Sequence, residues 1–180
     1  MLENPPKKGD LTMENTSLHE DNQQESSLLK ERRLGWFAGI IDGEGTITIR
    51  VQNRKNLTTI LTPVVSMVNT DKLLVDTFTS ILDEYSIPYW VTYYEPTKTW
   101  KPRWAVQIGG IKRCKKALPI FKDYLVSKRE LAEIVLGWCD SRINELGKRT
   151  YYSEKDMEVV RLVKSKHGHK LVMKSSETIR

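Results

Sequence analysis

Apolar and polar side chains alternate along residues 46–54, with Ile47, Ile49 and Val51 on one side and Thr46, Thr48, Arg50, Gln52 and Arg54 on the other. A period of two is the repeat of a strand, so the segment predicts a half-buried strand whose open face is polar and basic. Residues 57–69 read as its return, with Leu61, Val65 and Met67 opposing Thr58, Thr62 and Ser66, and the Asn-Arg-Lys-Asn run at 53–56 supplies the turn. The same polarity recurs in a second hairpin, predicted over 89–94 and 101–108. There Trp100, Trp104, Val106 and Ile108 point away from Lys101, Arg103 and Gln107.

Helical spacing fills the rest. Leu73, Leu74, Thr77, Phe78, Ile81 and Leu82 predict a helix over 71–84, and Pro88 ends that connection. Two more are expected over 118–126 and 127–146, the latter with Ile134, Val135 and Trp138 on an apolar stripe. A last helix is expected to start at Ser153, where Ser-Glu-Lys-Asp resembles a capping box, and to fade after Val163. A first helix is expected over 27–42, N-capped by Ser26 or Ser27. The order is αββαββα, an α+β domain whose four-stranded antiparallel sheet is covered by helices on one side and open on the other.

Charge sharpens the reading of that open face. Of the 29 basic and 23 acidic residues, three and seven lie in residues 1–31, leaving 26 and 16 for the remainder. The formal charge of +6 therefore hides a strongly basic body, which favours a polyanionic partner. Residues 1–25 are polar with almost no large apolar side chain and are expected to form a disordered arm. The domain is expected over 26–165, with a basic tail at 166–180. Cys114 and Cys139 are the only cysteines, too few for a disulfide framework or a zinc cluster, which suggests a reducing, intracellular setting: cytoplasm, nucleoid or an organelle. The His167-Gly168-His169 triplet lies in the polar tail and is given no role. No apolar run approaches the roughly 20 residues of a membrane helix, so no membrane partner is expected.

Residues 34–49 carry the most specific signal: Leu-Gly-Trp-Phe-Ala-Gly-Ile-Ile-Asp-Gly-Glu-Gly-Thr-Ile-Thr-Ile. Gly35, Gly39 and Gly43 recur every four residues and leave one helix face without side chains, so another backbone can approach closely. Gly43 and Gly45 flank Glu44, lower helix propensity and permit unusual backbone angles, leaving the Glu44 carboxylate at the helix end. If the partner is a copy of the same helix, two carboxylates meet near the axis.

Residues 37–45 resemble the signature of the LAGLIDADG homing endonucleases, with Phe37 for the first Leu, Gly43 for the second Ala and Glu44 for the second acid. The similarity extends, more weakly, over about residues 33–146. It implies a saddle-shaped sheet and a site-specific, divalent-metal-dependent double-strand DNA homing endonuclease, intron-encoded or free-standing. One copy of the motif implies a homodimer on a long pseudo-palindromic site, with Gly35, Ala38, Gly39 and Asp42 at the dimer interface. No small-molecule substrate is expected. The alternative on the same fold is an RNA-splicing maturase or a non-cleaving DNA-binding regulator, in which the motif's last acid tends to be lost.

The resemblance assigns roles by position. Glu44 and the Gly43 carbonyl are expected to ligate Mg²⁺, two or more ions per dimer, with Mn²⁺ or Ca²⁺ able to substitute in binding. Mg²⁺ is a hard cation that keeps several waters, so one carboxylate per subunit suffices. Asp42 is expected to satisfy backbone donors or fix the turn. Asp71 either adds a metal contact or N-caps the following helix. Lys128 matches the family's semi-invariant lysine, which polarises water or phosphate, whereas the companion arginine is replaced by Val75, leaving Lys72 or another basic residue to substitute. The sheet face, Thr46, Thr48, Arg50, Gln52, Arg54, Lys55, Thr62, Ser66, Tyr93, Lys101, Arg103 and Gln107, is expected to meet DNA, where such side chains hydrogen-bond to base edges. Lys112, Arg113, Lys115 and Lys116 are expected on phosphates, or as a solvated helix start.

Overall fold

The computed structural model describes residues 10–53, 59–143 and 152–166, with side chains in the first helix from residue 23 onward. Its elements run α1 (Asp10–Glu44), β1 (Gly45–Gln52), β2 (Ile60–Asn69), α2 (Lys72–Glu84), β3 (Trp90–Tyr94), β4 (Arg103–Gly109), α3 (Ile111–Phe121), a single 3₁₀ turn (Lys122–Tyr124), α4 (Arg129–Arg142) and α5 (Glu154–Lys166). The strands form one antiparallel sheet in the order β1-β2-β4-β3.

Register gives each face its identity. Ile47 pairs with Val65, which pairs with Ile108, while Met67 pairs with Val106, and all five are buried against the helices. The core continues through Phe37 of α1, stacked on Phe78 of α2 at 4.2 Å and tilted against Phe121 of α3 at 5.1 Å. On the opposite face Arg50 pairs with Thr62, Thr46 with Ser66, and Ser66 with Gln107. The expected alternation of both hairpins therefore holds in β1, β2 and β4.

α5 docks through its own first turn. Ser153 Oγ accepts the Asp156 amide at 3.2 Å, and Asp156 accepts the Ser153 amide at 2.7 Å, so the expected reciprocal cap is present. Asp156 also accepts Trp138 Nε1–H at 2.9 Å, which fastens α5 to α4. Burial alone would push this carboxyl up, but the bonds from Ser153 and Trp138 and the nearby Arg142 charge leave it below the usual carboxylate range.

Several boundaries differ from expectation. α1 begins at Asp10, so a helix replaces the expected disordered arm from that point and the N-cap at Ser26 or Ser27 is absent. Residues 23–32 are exposed all round. Helix therefore propagates outward from the packed 33–44 segment, where each added Glu, Gln, Leu or Lys gains a bond and no new nucleus has to form. α3 starts at Ile111 rather than 118 and carries Pro119 inside it, and α4 starts at Arg129 rather than 127. Lys101 and Trp100 lie ahead of β4, in the connection. Arg54, Lys55, Thr58 and the basic tail beyond Lys166 lie outside the described residues. Among the described residues no helix is long and apolar enough to cross a membrane, and Cys114 and Cys139 are free and buried, the Cys114 thiol pushed up to about 12 by burial.

Candidate active site and nucleic-acid interface

The end of α1 runs straight into β1. A Cβ on Gly45 would lie 2.7 Å from both the Cα and the carbonyl oxygen of Ile41, so glycine is required there by close approach. Unusual backbone angles are not the reason: among the described glycines only Gly110, capping α3, has positive φ. Gly35, Gly39 and Gly43 are exposed, and a Cβ on any of them would meet open space. Ala38, expected on the same face, is fully buried in the core beside Phe37 and Ile41, because the 100° helical step turns it inward from Gly39.

Asp42 is occupied within its own chain. It accepts the Val126 amide at 2.6 Å, the Lys128 amide at 2.9 Å and the Ser127 hydroxyl at 2.9 Å. Burial raises this carboxyl, and the bonds from the 126–128 segment outweigh it, so it titrates below its ordinary value. The expected backbone-satisfying role is thus the observed one, and the side chain is not a free dimer contact. Lys128 completes the latch, its Nζ donating to the Ile41 carbonyl at 2.9 Å and to the Asp42 carbonyl. These are orphan acceptors of a helix end, so Lys128 caps α1.

Glu44 is exposed and its carboxylate makes no hydrogen bond or ion pair among the described residues. It borders a cleft of about 510 Å³ shared with Val68, Asn69, Thr70, Thr99, Trp100, Lys101 and Arg103. Asp71 is not on that wall. One oxygen of its carboxylate N-caps α2, accepting the Leu73 and Leu74 amides at 2.9 and 3.3 Å, so the expected cap is present. Val75 is buried, and Lys72 pairs with Asp76 on the same helix, so neither supplies a cation to the cleft.

The open sheet face carries Thr46, Thr48, Arg50, Gln52, Thr62, Ser66, Arg103 and Gln107 in register. Arg50 donates to Gln107 Oε1 at 2.7 Å, bridging β1 to β4 across β2. Tyr93 pairs with Trp104 and rests on its ring at 5.2 Å, which places it on the helix-covered side instead. Along α3, Lys112 is exposed and Arg113 lies over the Trp90 ring at 4.8 Å. Lys115 pairs with Asp140 of α4 at 2.7 Å, and Lys116 donates to the Ser86 carbonyl in the connection after α2. Sequence periodicity missed Trp90, Tyr94, Asn69 and Thr70, and it set Trp100 on the face opposite Arg103, whereas the exposed Trp100 ring lies 5.0 Å from the Arg103 guanidinium. Only the aromatic cluster in 89–104 hinted at them, and an aromatic in a strand reads first as core.

No protein-family model matches the chain, and no curated protein matches it. Solved structures do. The homing endonuclease I-CvuI, in complex with its target, is 16% identical with a TM-score of 0.54, over 80% of this chain and 99% of that one. The LAGLIDADG homing endonuclease I-GzeII with its DNA target is 18% identical, TM-score 0.52, over 79% of this chain and 46% of that one. The LAGLIDADG meganuclease I-CpaMI, bound to uncleaved DNA, is 18% identical, TM-score 0.53, over 72% and 42%. With its motif helix leading into the same α+β sheet, the chain has the fold of the LAGLIDADG homing endonucleases.

Proposed function

We propose that the chain is a site-specific double-strand DNA endonuclease that acts as a homodimer through the glycine face of α1. One observation carries the reading: Glu44 is an exposed carboxylate with no partner among the described residues, at a helix end whose Asp42 side chain and last carbonyls are tied down. It adjoins a sheet face bearing Arg50, Gln52, Arg103 and Gln107. The chain's match along nearly all of I-CvuI, but along under half of I-GzeII and I-CpaMI, supports one chain as one half of a two-part enzyme.

The residues fit a largely hydrated Mg²⁺. Among the described residues no three His, Cys, Asp or Glu side chains cluster, and a hard cation that keeps its waters needs only Glu44, the Gly43 carbonyl and substrate phosphates. When bound, the metal would polarise the phosphate and lower the pKa of an attacking water. The chain's own part is positional: Lys128 and Asp42 fix the end of α1, and Glu44 presents its oxygens to the cleft. Thr70 lines the cleft with a side-chain oxygen able to orient water, while Asn69 Oδ1 beside it accepts the Asp71 amide at 2.9 Å. Arg50, preset by Gln107, presents a planar donor fork to a base edge in the major groove. Glu44 also weighs against a non-cleaving regulator, which has no use for a free acid facing phosphate.

The test is selection of cleavable sites from a randomised duplex library in Mg²⁺. A pseudo-palindromic site cut on both strands by wild type and left intact by Glu44→Gln is the expected result. Equal cutting by Glu44→Gln sinks the assignment.

A further inference from the structure

The cleft beside Glu44 has one acid and two cations, and both cations come from the connection between β3 and β4 and the first residue of β4. That connection is a compact turn. Thr97 donates its amide to the Trp100 carbonyl at 3.0 Å, and Thr97 Oγ1 accepts the Trp100 and Thr99 amides at 3.2 and 3.4 Å. The turn holds Trp100 out of the core, 63% exposed, where its ring lies 5.0 Å from the Arg103 guanidinium, and Tyr94 lies 5.1 Å from the same group. Two exposed aromatic rings around one arginine remove its rotamer freedom while leaving its N–H edges unused.

The neighbouring cations are occupied. Lys128 caps α1, Lys72 pairs with Asp76, and Arg129 donates to the Leu125 and Asp123 carbonyls. Among the described residues the side chains of Arg103 and Lys101 have no hydrogen-bonding or carboxylate partner. An unpaired planar fork facing an acid across an open cleft suits a phosphodiester, which accepts two parallel N–H bonds from arginine.

We propose that Arg103, held on Tyr94 and Trp100 and assisted by Lys101, binds the scissile phosphate opposite Glu44. The proposal rests on the nuclease reading above. In the step, a water oxygen bonds to phosphorus and the bond from phosphorus to the leaving sugar oxygen breaks. The water's proton passes to solvent and the leaving oxygen takes one from solvent. Arg103 transfers no proton; it neutralises charge gathering on the non-bridging oxygens. Trp100 and Tyr94 are positioning residues that act through it.

The experiment uses the full chain, the selected duplex and two readouts: single-turnover cleavage in Mg²⁺, and affinity in EDTA over a range of salt. Arg103→Ala is expected to slow cleavage by about a hundredfold or more. It should also lower the salt dependence of binding by about one phosphate contact per subunit, with base preferences unchanged. Arg103→Lys should not restore the rate. Trp100→Ala should slow cleavage about tenfold at nearly unchanged affinity, and Trp100→Phe should recover most of it. Altered preference at particular base pairs, with full rate on the newly preferred duplex, would make Arg103 a base reader and overturn the proposal, as would an unchanged rate and salt slope. If wild type cuts nothing, or Glu44→Gln cuts equally, the nuclease reading fails instead; an unchanged salt slope in Arg103→Ala then overturns the phosphate contact too.

Discussion

Asp42 and Glu44 stand two residues apart at the end of one helix and have opposite surroundings. Asp42 is enclosed by three donors from the 126–128 segment, and the same segment's Lys128 covers the helix carbonyls. Glu44, one step onto the open side, borders a cleft. The latch uses its hydrogen-bonding capacity to hold the backbone still, and the cleft keeps its capacity for a ligand. Rigidity next to an uncommitted acid is what a preorganised site requires, because the geometry is set before substrate arrives.

Replacing Glu44 should separate the two acids most sharply. Glu44→Gln should remove cleavage entirely while specific binding and thermal stability stay near wild type, since the side chain has no partner to lose; gel-shift and melting measurements alongside the cleavage assay check this. Gly39→Leu should come next. Open space surrounds this position in the single chain, so the fold should survive and even gain helix propensity. The dimer should be weakened by at least a few kcal/mol through overpacking, seen as a monomer in sedimentation at micromolar concentration. A dimeric Gly39→Leu chain would show that this face is not the interface.

Asp42→Asn should cost the fold roughly 1.5–3 kcal/mol in urea unfolding at pH 7, because an amide sets its own donors or a weaker acceptor against three N–H and O–H groups that want a carboxylate. Gly45→Ala should cost about 1–3 kcal/mol through the clash with Ile41. The smallest effect sharpens the contrast through pH. Asp42 and Asp156 both titrate below their ordinary value in the folded chain. Their contribution is therefore complete above the unfolded carboxylate pKa of about 4 and falls away as pH drops through the folded values. The stability gap between wild type and Asp42→Asn should accordingly shrink in acid. A gap that stayed constant from pH 7 to pH 3 would show that the latch does not depend on the Asp42 charge.

What was legible in the chain was whatever depends on neighbours a few residues away. The alternation in β1, β2 and β4, the Ser153–Asp156 cap, the glycine stripe of α1 and the acid at its end all follow from periods of two, three and four, which local geometry imposes. The choices between equally local readings were decided at long range. Lys115 was one basic residue in a run until Asp140 of α4 came within 2.7 Å, and Lys128 was one lysine among many until the end of α1 lay beneath it. Arg103 and Trp100 changed meaning when the 97–100 turn brought a ring under a guanidinium and both beside Glu44. A side chain's partner is a property of packing, and packing joins residues whose separation along the chain bears no relation to their distance in space.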